Sequence, residues 1–325
     1  MKLNTPISRY TFLFLLPAVF LLCLFSSSKP VANELSKDDL IKLYKEYYLS
    51  SDIDSINWNG SIDNCKAGTL SEDILTKAEN RVNFFRLVNG LTKITFNKDF
   101  NTRAQSAALL CLANNKLNHH PPKTWKCYSA EGAEGALHSN LGFNDFKHFP
   151  AASFISGFIQ DHGEDNSACG HRKWILYSKA KEMGYGASNK TEALYVTGID
   201  QHAKIINKFI AYPWNGYVPV NLIFPKWSFS IPEHHKVDFL HCKIAITDES
   251  GKKYHHKLLQ QEKNVLDHTL VWEIPELYTP EETEKLENNL KKKGFVGKTI
   301  TVTITNVMVH GELKNFYYQV KIIEV

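Results

Sequence analysis

The sequence predicts an α+β protein with two parts, a layered domain of helices and strands followed by a β-rich domain. Apolar residues recur at helical spacing between residues 71 and 117 and again over 151–161. Near the C-terminus the period changes to two, where Ile300, Val302 and Ile304 alternate with threonines. The length of 325 residues also favours about two domains, because single cores seldom grow past about 250 to 300 residues. Helices followed by strands in this order indicate an α+β layered domain.

Composition and charge exclude several classes of protein. The chain is 43% hydrophobic and 22% charged, so it is neither disordered nor fibrous. Its 38 basic and 34 acidic residues give a net charge of +4. Lys2, Arg9 and Lys29 supply three of those positive charges, and no acidic residue precedes Glu34. The body of the chain is therefore close to neutral, and we expect no nucleic-acid partner.

The first 28 residues have the organisation of a secretory signal peptide. Two positive charges within Met1–Arg9 precede an apolar run over Tyr10–Phe25, which contains Pro17 and is followed by serines. A membrane span needs about 20 residues, so this run is somewhat short for one. We expect cleavage near Ser28 and a secreted protein, either extracellular or periplasmic. The alternative is that residues 1–28 remain as an N-terminal anchor, which would be the only contact with a membrane.

Removal of the leader leaves an odd number of cysteines, Cys65, Cys111, Cys127, Cys169 and Cys242. In an oxidising compartment at least one of them must stay free or pair between chains. Two interpretations of Cys111 remain open. A bridge to Cys127 would close a 17-residue loop and contribute about 3 kcal/mol. Alternatively, Cys111 is a buried thiol on the apolar face of a helix.

Start and stop signals define the predicted helices. An extension over residues 33–70 has one short helix at Asp38–Tyr48. The next helix has Ser71 as its N-cap and ends at Gly90. A further helix runs to about Leu117, where prolines stop it. The last of these helices ends near Asp161.

Apolar runs then predict strands and a change of domain. Two buried strands are expected at Trp174–Tyr177 and Ala193–Val196, around a turn at Gly184–Gly186. Residues 212–219 are rich in proline and aromatic residues and are predicted to be a linker. Its aromatic residues either pack the domain junction, which we favour, or stack on sugars; they are Tyr212, Trp214 and Tyr217.

The remaining residues, 220–325, are predicted to form an antiparallel domain resembling a β-sandwich. Strands are expected at Val237–Thr247, at Leu270–Ile274 and on both sides of a turn at Gly311. One helix interrupts them, with Thr279 as its N-cap and Gly294 at its end.

Two histidines lie at predicted element boundaries, where they are candidates for chemistry. His119 follows the helix that ends near Leu117, and His171 lies in Gly170–Trp174. An imidazole in such a loop can ligate a metal or transfer protons near neutral pH. In a core, each would need only a satisfied hydrogen bond, and that interpretation also stays open.

Six short motifs occur in order along the chain: Asn83–Leu91, Ala104-Gln105, Leu117–Pro122, Ser139–Leu141, Gly170–Leu176 and Met183–Gly186. This ordered set resembles the CAP superfamily, which comprises the cysteine-rich secretory proteins, antigen 5 and the plant pathogenesis-related proteins. The match is best to bacterial SCP-domain members and covers about residues 76 to 200, within a predicted domain over 71–211. Residues 212–230 also resemble the linker and β-domain start of multidomain bacterial members.

The resemblance implies a three-layer α-β-α sandwich and a cleft in which two histidines and two acidic residues can bind a divalent metal. By motif, the two histidines are His119 and His171. The first acidic position is Ser139 here, which departs from the family pattern, and the second matches Asp161. We therefore expect Zn²⁺ or another divalent ion at His119 and His171, with Asp161 as the third ligand. Glu131 and Glu134 are candidate replacements for the missing carboxylate, although an exposed loop charge is the simpler role for both.

The function implied is a non-enzymatic extracellular binding or effector module whose cleft takes a metal or a small ligand from the cell exterior or envelope. One alternative is a peptidase- or esterase-like hydrolase with Ser139 as nucleophile, His119 or His171 as base and Asp161 as orienting carboxylate. No Gly-x-Ser-x-Gly elbow surrounds Ser139, and its simpler role is a cap or turn. A lipid-binding carrier is a further alternative, which only the superfamily suggests.

Overall fold

A computed structural model describes residues 34–53, 55–143, 153–232, 236–262, 266–277, 290–291 and 293–325. They belong to one compact unit. The predicted leader lies outside these residues, as does most of the helix predicted to begin at Thr279. No helix in the described ranges is both long and apolar enough to cross a membrane.

The N-terminal half combines helices with one sheet. Its helices are α1 (Lys37–Leu43), α2 (Glu72–Leu87), α3 (Lys98–Asn114), α4 (Ala130–Leu137), α5 (Ser153–Gln160) and α6 (Gly170–Ile175). A π-helical turn at Tyr44–Tyr48 and a 3-10 turn at Leu49–Ser51 extend α1, and another 3-10 turn covers Glu164–Asn166. The strands are β1 (Thr95–Phe96), β2 (Ser139–Phe143), β3 (Ala180–Ala187) and β4 (Thr191–Ile199).

Capping residues account for the ends of these helices. The Ser71 hydroxyl accepts a hydrogen bond from the Ile74 amide at 3.3 Å, which satisfies a free donor at the start of α2. Gly90 follows that helix with a left-handed φ of +67°. Both predictions are confirmed. Helix α3 ends at Asn114, earlier than predicted, because Asn115 adopts a left-handed conformation with φ +47°.

The sheet of the N-terminal half lies between two helical layers. Its strand order is β1-β3-β4-β2. Ala193 and Tyr195 of β4 pack with residues of α3 and α4, whereas Leu194 and Val196 pack with residues of α2, α5 and α6. Because successive side chains of a strand point to opposite faces, this alternation places one helical layer on each face. The predicted α-β-α sandwich is confirmed.

Two local predictions in this half are wrong. Trp174–Tyr177 is not a strand, because its first two residues are the end of α6. Gly184 and Gly186 are not in a turn but inside β3, where they face α3. A Cβ at Gly186 would lie 2.1 Å from the Gln105 backbone nitrogen, and one at Gly184 would lie 2.3 Å from the Phe100 carbonyl carbon. These glycines allow the close approach of helix and strand.

The C-terminal half consists of two mainly antiparallel sheets. One has the order β10-β11-β7-β5 and the other β6-β13-β12-β8, with β9 also paired to β12. The strands are β5 (Ile210–Tyr212), β6 (Gly216–Pro219), β7 (Lys226–Ile231), β8 (Val237–Asp238), β9 (Lys243–Asp248), β10 (Lys257–Glu262), β11 (His268–Glu273), β12 (Thr299–Val309) and β13 (Glu312–Ile323). Phe229 of one sheet lies 5.1 Å from Phe316 of the other, measured between ring centroids. The two sheets therefore share a core.

Residues 212–219 do not form a separate linker, which corrects the prediction. Strand β5 pairs with β7, and β6 pairs in parallel with β13, so this segment contributes to both sheets. Tyr212 and Trp214 are buried, and Trp214 packs edge-on against Phe84 of α2 at 5.9 Å. Their burial agrees with the favoured packing role and removes these two rings as sugar-stacking surfaces. One hydrophobic core is thus continuous between the two halves.

The disulfide differs from the one considered in the sequence. Cys65 pairs with Cys127, with a Cα–Cα distance of 5.0 Å. The predicted Cys111–Cys127 bridge is therefore wrong, and the buried-thiol interpretation of Cys111 is confirmed. Burial raises the pKa of Cys111 to about 11. Among the described cysteines, Cys169 and Cys242 are also free thiols.

Candidate functional site

A pocket of about 440 Å³ brings together three of the four site residues predicted from the sequence. His119, Ser139 and His171 line it, and we call it the histidine pocket. Asp161 is not in its lining but lies behind His171. The remaining polar side chains of the described lining are His120, His138, Asn140, Asp165, Asn166 and Thr197.

His171 is held by a buried carboxylate. It is the second residue of α6, and its Nδ1 lies 2.8 Å from Oδ1 of Asp161. The other carboxylate oxygen of Asp161 accepts a hydrogen bond from the Arg172 amide at 3.1 Å. Because a carboxylate accepts hydrogen bonds, Nδ1 carries a proton, and in the neutral form of the ring Nε2 keeps its lone pair.

Asp161 therefore orients His171 and does not face the pocket as a ligand would. The side chain of Asp161 is 0% exposed, whereas that of His171 is 24% exposed. Both carboxylate oxygens of Asp161 are already engaged, one by His171 and one by Arg172. Histidine ligands of metals commonly have such a carboxylate behind them, which fixes the ring and raises its basicity. The geometry favours this supporting role over the predicted role as third ligand.

The Nδ1 atom of His119 also has a hydrogen-bond acceptor, which here is a backbone carbonyl oxygen. His119 follows α3 in the loop that ends at the prolines, and its Nδ1 lies 2.9 Å from the Ala136 carbonyl oxygen at the end of α4. A carbonyl oxygen only accepts, so Nδ1 of His119 must donate. Nε2 of His119 then also keeps a lone pair. The pocket thus has two imidazoles in the same tautomer.

Further contacts hold His171 in place from its backbone and ring face. The side-chain amide of Asn140 donates to the His171 carbonyl oxygen at 3.1 Å, which ties α6 to β2. The ring of Phe158 in α5 lies 5.1 Å from the imidazole, tilted by 43°. These contacts fix the backbone of His171 against β2 and place its ring against α5.

Ser139 does not complete a nucleophile–base pair. It begins β2 and pairs with Tyr195 of β4. Its hydroxyl is buried and, among the described residues, has no hydrogen-bond partner. The Asp–His half of the predicted triad is formed, but its Ser–His half is not.

The two glutamates considered as replacement carboxylates lie elsewhere. Glu131 accepts a hydrogen bond from the Ser106 hydroxyl at 2.8 Å, and Glu134 is 3.4 Å from Arg103. Neither residue lines the histidine pocket. No set of three or more His, Cys, Asp and Glu side chains in the described ranges is arranged to hold a metal ion.

The residues that support the site from behind were not predicted from the sequence. Arg172, within the quoted Gly170–Leu176 motif, is 1% exposed and donates to the Ile159 carbonyl oxygen at 2.6 Å. Lys226, a residue of β7, contacts the loop that follows α5. The sequence shows that Arg172 is charged and adjacent to His171, but it does not show that Arg172 is buried. Nothing local indicated that Lys226 reaches a site 60 residues away.

Comparisons with known proteins agree with the geometry of the N-terminal half. The family model for the cysteine-rich secretory protein family, CAP, matches residues 79–199. This range includes His119, Ser139, Asp161 and His171. The comparison with curated proteins finds no match.

Among solved structures, the chain is similar to CopC from Methylosinus trichosporium OB3b. The identity is 17% over 35% of this chain and 89% of that chain, with a TM-score of 0.25. At that TM-score the likeness supports no inference. Over residues 79–199 this chain is thus similar to the cysteine-rich secretory protein family, CAP, and the α-β-α sandwich occupies the same part of the chain.

Proposed function

We propose that this protein is a secreted binding module whose histidine pocket takes a divalent transition-metal ion of the Zn²⁺ class through Nε2 of His119 and Nε2 of His171. One observation carries the proposal. Both imidazoles line one pocket, and both have Nδ1 engaged by an acceptor, Ala136 in one case and Asp161 in the other. Two neutral imidazoles with free Nε2 lone pairs are a donor set that suits zinc.

The donor set fits a weakly held ion better than a structural zinc site. A structural site has four protein ligands, whereas no three His, Cys, Asp and Glu side chains among the described residues are arranged to hold an ion. Water or a ligand oxygen would complete the coordination shell. Such an ion supplies Lewis acidity and open positions for a small anionic ligand. The role of the chain is to fix the two rings, which Asp161 and Ala136 do.

Secretion is supported by three features of the chain. The leader pattern over residues 1–28 is that of an exported protein. The matched family is named for secretory proteins. The disulfide between Cys65 and Cys127 is of a kind that persists in oxidising compartments. The ligand is therefore expected outside the cell or in its envelope.

Zinc retention by matched histidine variants tests the proposal. The chain from residue 29 onward is loaded with Zn²⁺ and dialysed, and the metal is counted per chain. His119→Ala and His171→Ala are compared with His202→Ala, an exposed histidine outside the pocket. We expect about one zinc in the wild type and in His202→Ala, and loss of it in the other two. Absence of zinc from the wild type, or retention by both pocket variants, would contradict the proposal.

Hydrolysis is a second candidate, favoured by the Asp161–His171 pair at 2.8 Å. This is the orienter–base relation that a general base requires. Turnover of peptide or ester substrates that disappears in both His171→Ala and Ser139→Ala would establish it and replace the binding proposal. The lipid-carrier alternative stays a prediction.

A further inference from the structure

A buried lysine of the C-terminal half binds the loop that carries Asp161. Lys226 begins β7 and is 8% exposed. Its ammonium group donates to three backbone carbonyl oxygens, those of Asp161 at 2.7 Å, Gly163 at 2.6 Å and Asn166 at 3.1 Å. An ammonium has three donors, so these three acceptors use all of them.

A second residue of β7 reaches the same region. Ser228 accepts a hydrogen bond from the guanidinium of Arg172 at 3.2 Å. Lys226 and Ser228 are two residues apart on one strand and therefore lie on one face of it. This face of β7 therefore contacts Asp161 and Arg172, which lie next to the histidine pocket.

The loop that Lys226 binds contains a residue in an uncommon backbone conformation. Asp161 directly follows α5 and adopts a left-handed conformation, with φ +55°. For a residue other than glycine this conformation costs about 1 kcal/mol or more. It persists only where surrounding contacts determine it. The Asp161 carbonyl is fixed by Lys226 while its carboxylate is fixed by the Arg172 amide and by His171.

We infer that Lys226 is a positioning residue of the histidine pocket: by binding the carbonyls of Asp161, Gly163 and Asn166 it places the Asp161 carboxylate against His171. Residues of the C-terminal half therefore help to position the side chains of the histidine pocket. The same loop contributes Asp165 and Asn166 to the pocket lining, so Lys226 shapes the pocket wall as well. The effect on metal affinity rests on the proposed function, whereas the effect on the Asp161–His171 hydrogen bond does not.

The test compares Lys226→Met with two controls in the full exported chain. Methionine keeps the length of the side chain but leaves three carbonyls without a donor. Lys257→Met is the control for loss of a lysine. Lys257 lines a second pocket together with Lys226, but it is exposed. Val302→Ala, at a fully buried position of β12, lowers stability by roughly 2 kcal/mol without touching the loop.

Two readouts are taken, the ¹H–¹⁵N signal of the His171 Nδ1–H group and the affinity for Zn²⁺. In Lys226→Met we expect the Nδ1–H signal to shift or to be lost to exchange, and zinc affinity to fall about tenfold or more. Both controls should keep the wild-type signal and affinity. Loss of the signal in Val302→Ala as well would overturn the inference, since general destabilisation would then explain it. Retention of signal and affinity in Lys226→Met would also overturn it.

Two further outcomes are distinguishable. If the wild type binds no zinc, the proposed function fails, and the Nδ1–H signal alone decides the role of Lys226. If Lys226→Met does not fold, Lys226→Arg replaces it, because a planar guanidinium cannot serve the same three acceptors from one nitrogen. An unchanged signal in folded Lys226→Arg would then contradict the inference, and a shifted one would support it.

Discussion

The carboxylate of Asp161 accepts a hydrogen bond from Nδ1 of His171 at 2.8 Å, although the two side chains differ sharply in exposure, 0% for Asp161 and 24% for His171. A ligand in the pocket meets the imidazole and not the carboxylate. The negative charge acts only through the ring, whose tautomer and orientation it sets.

The first prediction concerns this carboxylate. Asp161→Asn removes the charge behind His171 and should lower zinc affinity about 10- to 100-fold, as measured by competition with a chelator. Asp165→Asn is the control, because Asp165 is exposed and lines the pocket. A larger loss in Asp165→Asn than in Asp161→Asn would mean that Asp165 is a ligand and Asp161 is not needed.

The second prediction concerns the buried hydroxyl of Ser139. Because it has no partner among the described residues, Ser139→Ala removes an unsatisfied group and should leave the free energy of unfolding within about 1 kcal/mol or raise it. Ser178 is the matched control, since its buried hydroxyl donates to Asp267 at 2.8 Å. Ser178→Ala should cost about 1–3 kcal/mol. The free energy of unfolding is measured with urea. Equal losses in Ser139→Ala and Ser178→Ala would show that the Ser139 hydroxyl has a hydrogen-bond partner.

The third prediction is a dependence of stability on pH. Glu192 is 2% exposed, and burial raises its pKa well above the ordinary value of 4.5, even though the Tyr185 hydroxyl donates to it. The folded chain then keeps a proton that the unfolded chain releases. The contribution of Glu192 to stability is full below about pH 4.5 and is lost as the pH rises towards its folded-state pKa.

Glu192→Gln cannot titrate, so it should be more stable than the wild type at pH 8, with the difference shrinking towards pH 4. Unfolding by urea at both pH values measures this. Glu72→Gln, on the exposed first turn of α2, controls for the loss of one negative charge. A Glu192→Gln difference that grows towards low pH would contradict the assignment.

The fourth prediction tests the close contact between β3 and α3. Gly186→Ala would place a Cβ 2.1 Å from the Gln105 backbone nitrogen, and we expect a loss of about 3 kcal/mol or more in the free energy of unfolding. Gly157 in α5 is the opposite case, with no atom within 4 Å of an added Cβ. Gly157→Ala should raise stability by about 0.5–1 kcal/mol. Comparable losses in both variants would contradict the packing described.

Local signals in the sequence were sufficient for part of this fold. The N-cap at Ser71 and the glycine at position 90 mark the ends of α2 because each satisfies a backbone requirement of a helix end. The ordered CAP motifs led to His119, Ser139 and His171, which the structure places on one pocket.

Other features depend on contacts that the sequence does not display. Gly184 and Gly186 resemble turn residues, but they are needed in a strand because a helix backbone lies against them. The partner of Cys127 is 62 residues away, and pairing does not follow from spacing. Lys226 begins a strand that contains apolar and aromatic residues. Lysine is seldom buried unless several hydrogen-bond acceptors surround it, so its burial could not be predicted from the strand alone. Those acceptors lie 60 to 65 residues earlier in the chain.

The tautomers of His119 and His171 decide whether both rings can bind a metal through Nε2. Long-range ¹H–¹⁵N correlation of the imidazoles, recorded on the metal-free chain at a pH where both rings are neutral, distinguishes a protonated Nδ1 from a protonated Nε2. We expect His119 and His171 both to carry the proton on Nδ1, because Ala136 and Asp161 accept it there. A proton on Nε2 of either ring would contradict the claim that both present a free lone pair to the pocket.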